Sequence, residues 1–463
     1  MKDLRDVPDP VQPLHTCFRS VGAALLGLMM SVAFVVSTTS AQDNQQLKDK
    51  VQELEQRLDS LEAGDGGTDA SDGPDEMRVY FSDGSGKLNW ETADGRFSGE
   101  FGGRIMFDWT VGDIDDNVTA VTGDDADGAE FRRARLFTEG TLYDIGYKFQ
   151  VDFAGAPVDV KSVYLDFPTP IPSSSLKVGK FKEDMMLVEK TSSKYISLMA
   201  RPIMTEWAGG RDLGAQLGGN PADGRLHYGI GAFRADNITN GRESTSDGHH
   251  KVTGRLTGLP YANEDMTQLV HIGASGSVAS LDPDNDLDGA EDWEPEVHLA
   301  PDFVDPFGTT DFADGSTRYA LESAFVYDSF SAQAEWAQRE YDMVGSSDPT
   351  FSSWYVQGSY FLTGEVRPYD GGEFDRISPK SNFTTEGGTG AWEIAARYST
   401  MDLNDSGFTG GQTDIITAGV NWYLNPSVRV MLNYTNADVS DALGNPGVDG
   451  SGDFVSTRFQ IDF

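Results

Sequence analysis

From Arg96 to Phe463, apolar and polar residues alternate with period two through segment after segment, the spacing that sends successive side chains to opposite faces of a β-strand. In the first long segment Phe97, Phe101, Ile105, Phe107 and Trp109 share one face, while Glu100, Arg104 and Asp108 share the other. Stretches 145–153, 252–258, 318–327, 330–338, 354–362, 392–400, 416–424 and 428–434 repeat the pattern, and weaker candidates lie near Phe131, Val163, Leu176, Leu213, Tyr228 and Ile272. Together they predict an all-β chain of about sixteen strands, an even number within the range of outer-membrane barrels. In the final stretch Val455, Thr457, Phe459, Ile461 and Phe463 form an apolar face, opposite Ser456, Arg458, Gln460 and Asp462. A terminal strand normally leaves an unpaired edge, so this one is expected to close a transmembrane antiparallel β-barrel over 96–463. Soluble sandwiches or a solenoid fit less well, because the apolar face persists and no repeat of fixed length occurs.

Connection lengths provide a second test, since such barrels have long outer loops and short periplasmic turns. Long acidic connections fall on alternate positions at 112–130, 183–210, 236–249, 281–315, 402–412 and 436–453. The stretch 363–390 breaks the alternation, and is expected either to hide a hairpin or to fold into the lumen.

Ahead of the barrel, the apolar run 21–36 follows Arg19 and precedes small residues ending in Thr39 and Ala41, which predicts a signal peptide over 1–41. As a membrane anchor the run is shorter than the ~20 residues a spanning helix needs. Cys17, the single cysteine, would leave with the peptide, so no disulfide chemistry is expected. Over 42–63, Leu47, Val51, Leu54, Leu58 and Leu61 form a short heptad seam, too short to be stable alone. It predicts a periplasmic coiled coil joining several copies, the alternative being a lone amphipathic helix on its own barrel. The region 64–95, Gly-, Asp- and Ser-rich at its start, reads as linker and lead-in.

A net charge of −39 excludes a simple nucleic-acid binder and predicts acidic, solvated loops. Enzyme signatures are absent: the histidines are scattered apart from the adjacent His249 and His250, and no serine sits in a nucleophile elbow. No enzyme and no cofactor are therefore expected. Asp284, Asp286, Asp288 and Gly289 copy the first half of a calcium loop, but Pro295 stands where its bidentate glutamate belongs, flanked by Glu294 and Glu296. A structural calcium site and a plain solvated acidic loop both remain open.

Strand phase places Arg104, Arg133, Arg135, Lys148, Arg255, Arg318, Arg339, Arg397, Arg429 and Arg458 opposite the apolar stripe, hence toward the lumen. Arg and Lys ladders favour anions. Glu100, Asp108, Glu139, Asp152, Glu322, Glu335 and Glu393 share those faces, so a mixed, weakly selective wall is the alternative. Within and around 183–210, Lys182, Lys190, Lys194, Arg201 and Arg211 accompany Thr191, Ser192, Ser193 and Ser197; folded inward, this stretch would narrow the pore with anion-binding donors.

Several stretches resemble the phosphate-selective porins O and P: Phe131-Arg132-Arg133-Ala134-Arg135-Leu136, then Val178-Gly179-Lys180-Phe181-Lys182 leading to Thr191-Ser192-Ser193 and to Met199, Arg201 and Pro202, then Arg211 with Gly214-Ala215-Gln216. The late cluster is more specific. It comprises Tyr360 to Arg367 with Tyr369, Ser378-Pro379-Lys380, Gly390-Ala391-Trp392-Glu393 with Ala395-Ala396-Arg397-Tyr398-Ser399, and Asn421-Trp422-Tyr423-Leu424-Asn425-Pro426. The resemblance implies a trimeric barrel in the bacterial outer membrane, with a loop and a periplasmic turn folded inward and arginines lining the route, and it adds Lys380 to that route. Met185 and Met186 stand where the family tends to have Pro-Phe, and Leu198-Met199-Ala200-Arg201 where it tends to have Phe-Met-Glu-Arg, a change in constriction charge. The expected function is passive diffusion of small anions, phosphate first, by a homotrimer in contact with outer-membrane lipid. A weakly selective nutrient or sugar porin is the alternative within the class, and a barrel-anchored envelope tether or adhesin the alternative outside it.

Overall fold

A computed structural model describes residues 77–463 apart from 83–85, 124–125, 156, 235–249, 285–286, 288–289 and 386. The signal peptide (1–41), the heptad helix (42–63) and the first part of the linker lie outside the described residues.

The strands are β1 (Met77–Phe81), β2 (Leu88–Thr92), β3 (Phe97–Ile114), β4 (Gly128–Leu142), β5 (Ile145–Asp152), β6 (Asp159–Pro168), β7 (Ser174–Lys182), β8 (Arg211–Gly219), β9 (Leu226–Arg234) and β10 (His250–Ala262). There follow β11 (Gln268–Ser280), β12 (Ala313–Tyr327), β13 (Phe330–Met343), β14 (Thr350–Phe361), β15 (Tyr369–Asp370), β16 (Glu373–Phe374), β17 (Ala391–Asp405), β18 (Phe408–Asn425), β19 (Val428–Ser440) and β20 (Gly450–Asp462). Strands β3 to β14 and β17 to β20 form a closed antiparallel ring of 16, each pairing with its neighbour in sequence. The ring closes between β20 and β3, where Arg458 pairs with Asp108, Phe459 with Phe107 and Ile461 with Ile105. Closure leaves the ring no unpaired edge, the condition for strands to cross lipid. Part of the expected linker is ordered: β1 and β2 form a hairpin whose second strand pairs with the start of β3.

The two faces separate as the alternation requires. Val455, Phe459 and Ile461 face outward and are about half exposed in the isolated chain, whereas Ser456, Arg458, Gln460 and Asp462 are buried on the inner side. Ile105, Trp109, Phe131, Leu256 and Val278 are likewise exposed outward, giving an apolar belt for lipid. At the seam the Phe463 amide donates to the Gly103 carbonyl, and the Gly103 amide donates to the Phe463 carbonyl. A Cβ at Gly102 would stand 2.5 Å from the Phe463 carbonyl oxygen and 2.8 Å from the Phe137 ring. Closure thus needs glycine there, since neither backbone nor packed ring can retreat. Gly102→Val is expected to lower the yield of folded barrel, read as loss of the heat-modifiable band in electrophoresis.

One expected outer loop is absent. Stretch 402–412 is a hairpin turning at Ser406 and Gly407, both with positive φ (54° and 96°), so β17 and β18 continue through it. This is the left-handed backbone of a tight two-residue turn. The outward face of the β17 end is polar at Thr400, Asp402 and Asn404, while Met401 and Leu403 are buried inside, so the apolar outer stripe fades before the strand does.

Three connections fold into the barrel. Segment 183–210, carrying the short helix α1 (Leu187–Lys190) and a 3-10 helix (Ile203–Ala208), packs with the β11–β12 connection. Met186, Met204, Trp207, Phe303, Val304 and Phe307 form one buried apolar cluster between them. Stretch 363–390 resolves its two alternatives together, since it contains the small β15–β16 hairpin and lies inside. Tyr369 and Phe374 pack on Leu187, Leu259 and Val326.

Candidate functional site

The inward segments leave open a cavity of about 500 Å³ against the wall from β3 to β8. Arg104, Arg133, Arg135, Lys148, Lys182, Lys190, Arg201, Arg211 and Arg458, all expected from the sequence, line it, joined by Arg132 and Lys177. Arg132 owes its place to a β-bulge. The β3–β4 ladder pairs Met106 with Arg133 but Phe107 with Phe131, leaving Arg132 as the extra residue. Phe131 faces out, Arg132 and Arg133 both line the cavity, and Arg135 is buried on the inside. A bulge turns the strand's phase by one residue. Strict alternation along Arg132-Arg133-Ala134-Arg135 would have sent one arginine into lipid, a costly placement, and that conflict was the readable signal for the bulge.

Many of these cations are already paired. Arg135 meets Asp152 at 2.6 Å, Arg458 meets Asp108 at 2.6 Å, and Lys148 meets Glu139 at 2.5 Å. Glu189 pairs with Lys182 at 2.9 Å and Arg201 at 3.1 Å; burial alone would raise its carboxyl, but Arg201 and Lys182 hold it down to about 2. Lys190 lies 3.4 Å from Asp184. Four arginines and one lysine are different. Arg104 donates to Ser193 Oγ at 2.7 Å, and neither it nor Arg132, Arg133 or Arg211 has a carboxylate within ion-pair distance among the described residues; Lys177, 4.7 Å from the centre of the Tyr164 ring, likewise has none. The Nε atoms of Arg133 and Arg211 are buried without a hydrogen-bond partner. Like charges crowded inside a barrel repel, so an unneutralised group of this kind favours an incoming anion.

The remaining expected residues lie off the cavity, with other partners. Arg255 meets Glu322 at 2.7 Å and Asp184 at 3.3 Å, and donates to the Gly372 carbonyl on the inward turn. Arg318 donates to Trp207 O at 3.0 Å, Arg397 to Ala200 O at 3.0 Å and Arg429 to Ile196 O at 2.7 Å. Cavity-lining Arg458 also reaches back, to Met199 O at 2.7 Å. These arginines clamp the carbonyls of the inward segment, so strand phase gave their direction and not their partners. Lys194 lies 3.8 Å from Asp462, and Lys380 donates to the Gly364 carbonyl within its own turn. Asp284 is exposed, while Asp286 and Asp288 lie outside the described residues. Among the described residues, no group of three or more His, Cys, Asp or Glu is placed to hold a metal.

Residues 100–463 match the profile of the phosphate-selective porin O and P family. The chain belongs to that family. It is 28% identical over 425 residues to Porin O of Pseudomonas aeruginosa, covering 82% of this chain and 91% of that one. It is 29% identical over 367 residues to an uncharacterized protein of Caulobacter vibrioides, covering 78% of this chain and 73% of that one. Among solved structures it is similar to an anion-selective porin from Comamonas acidovorans, with TM-score 0.49, 13% identity and coverage of 79% of this chain and all of that one. As a porin of this family, with a closed barrel, the protein is an outer-membrane channel. Its two departures from the family pattern are both placed. Met185 and Met186 are wholly buried and help seat the inward segment, while Ala200 lines the cavity. Carboxylates reach the cavity from elsewhere, at Glu206 and Glu294. Glu206 opens onto the cavity water deep within the barrel, where burial, then neighbouring Glu294 and Glu189, push its carboxyl up to about 7.

Proposed function

We propose that this porin carries small anions, phosphate first among them, by passive diffusion through the cavity between the β3–β8 wall and segment 183–210. The observation that carries this reading is the set of unneutralised cations Arg104, Arg132, Arg133 and Arg211 on one stretch of wall. Anions shed part of their hydration for these donors and repay little reorganisation, because the donors are already in place. Arg104 donates to Ser193 of the inward segment, and Arg211 follows Gly210 at its end, so this part of the lining combines charge with a hydroxyl. The family profile, described as phosphate-selective, supports phosphate as the first solute to test. The heptad over 42–63 supports a homotrimer joined by a periplasmic coiled coil.

Reversal potential across a planar bilayer in a salt gradient tests the reading. An anion-directed potential, with a current that phosphate saturates, is expected. A potential near zero with ohmic current would instead favour a general nutrient or sugar porin, and no current at all a tether whose barrel is only an anchor.

A further inference from the structure

Unpaired charge inside the cavity is divided by side. The barrel wall presents Arg132 and Arg133, while the inward segments present Glu206 and Glu294. Neither glutamate side chain makes a hydrogen bond or ion pair among the described residues, although each lies near Arg132 and the two lie near one another. Most other cavity carboxylates are consumed: Glu189 by Lys182 and Arg201, Asp108 by Arg458, and Glu130 by His298 at 2.7 Å.

Beside Glu206 stands an independent sign of a ligand. Thr205 is 7% exposed and lines the same cavity, yet its Oγ1 has no hydrogen-bond partner. Buried hydroxyls are nearly always satisfied. Across the cavity, the buried Nε of Arg133 is unsatisfied as well. An acceptor group beside two free carboxylates, facing a donor group beside free guanidinium, describes the two ends of one solute.

From this geometry we propose that the cavity is a zwitterion subsite. Arg132 and Arg133 take the anionic end of an amino-substituted phosphonate or phosphate ester, and Glu206, Glu294 and the Thr205 hydroxyl take its ammonium. An ammonium between the two carboxylates replaces their mutual repulsion with attraction. It also gives the Thr205 hydroxyl oxygen a donor, whereas a simple anion could only accept from that hydroxyl. The subsite favours solutes carrying both charges over anions of equal size, and Glu206 sets that preference. This rests on the anion-pore reading above, of which it is a refinement.

The test is block of chloride current by 2-aminoethylphosphonate and by propylphosphonate, a pair matched in heavy atoms in which a methyl replaces the ammonium, at pH 8 in planar bilayers. The native porin is expected to be blocked at about tenfold lower concentration by the amino compound, the factor that a charge-assisted hydrogen bond supplies. Glu206→Gln and, separately, Glu294→Gln should bring the blocking concentrations of the two compounds together, with the heat-modifiable mobility of the barrel retained. Equal block by both compounds in the native protein, or a preference that survives both substitutions, overturns the subsite. Loss of the anion-pore reading would show differently, as a native reversal potential without anion preference.

Discussion

Replacing Arg133 with Glu is expected to abolish the anion preference of the pore and turn its reversal potential toward cations. Arg133 is surrounded by like charges, with Arg135, Arg132, Arg201 and Arg104 all near enough to disfavour its own, and among the described residues no carboxylate within ion-pair distance offsets them. Reversing it changes the local charge by two units, at a point where field lines are focused by protein on every side. The new carboxylate would also draw Arg132 and Arg135 into ion pairs and remove them from the route. A fall of at least about tenfold in the anion-to-cation permeability ratio is expected, since each such change in barrier near 1.4 kcal/mol is tenfold. Arg133→Lys should retain the preference, which separates loss of charge from loss of shape. Arg458→Glu makes a contrasting control. Arg458 is already paired with Asp108 through two hydrogen bonds of 2.6 and 2.7 Å and holds Met199 O. Reversing it sets two carboxylates together and frees a clamp, so folding yield should suffer before selectivity does. If Arg133→Glu keeps the native reversal potential, the unneutralised cations do not control the route.

Glu291→Ala is expected to open the pore. Glu291 is fully buried and joins two inward elements, the 3-10 helix and its own β11–β12 connection, to the wall at β13. It accepts from Trp207 Nε1 at 2.6 Å, from Trp293 Nε1 at 3.0 Å, from the Tyr341 hydroxyl at 2.5 Å and from Arg339 at 2.5 Å. Removing it strands one part-buried guanidinium and three donors, of which those of Trp207 and Tyr341 are fully buried. Breaking a buried pair in this way costs about 3–5 kcal/mol, more than a lumen segment held mainly by side chains can absorb in place. The 3-10 helix and the β11–β12 connection should then loosen together, because both lean on this carboxylate. Single-channel recording should show a larger and noisier conductance with weakened selectivity. The ring, which Glu291 does not hold, should keep its heat-modifiable mobility. Glu291→Gln preserves the acceptor and removes the charge, and should fall between. Native conductance in Glu291→Ala would mean that the arginine clamps at Arg318, Arg397 and Arg429 hold the inward segments without it.

The barrel and its polarity were legible because a strand's period of two is imposed by the backbone and needs no partner to be seen. Val455 to Phe463 shows this most plainly, each residue lying on the face that the alternation assigned. The stretch 363–390 was flagged by its length alone, and its inward course depends on Tyr369 and Phe374 finding Leu187, which lies far away in sequence. Stretch 402–412 was misread as a loop for a related reason. Where a strand rises beyond the apolar belt, its outward face becomes polar and the outer apolar stripe ends, although the hydrogen-bonded ladder continues.

The candidate site divides along the same line. Sequence by itself determined that the arginines of the strands point inward, that the chain is organised as a closed sheet, and that 183–210 is basic and hydroxyl-rich amid acidic loops. Only the tertiary structure decided which of those charges are spent. Arg104, Arg133 and Arg429 look alike in strand phase, yet Arg429 holds a carbonyl of the inward segment while Arg133 is left without a partner. The physical reason is that direction is a local property, fixed by φ, ψ and alternation. Neutralisation is a property of pairs, fixed by which distant carboxylate or carbonyl the folded chain brings within 3 or 4 Å. The bulge at Arg132 lies between the two, since it is a local irregularity whose cause, keeping one more arginine out of lipid, belongs to the membrane around the fold.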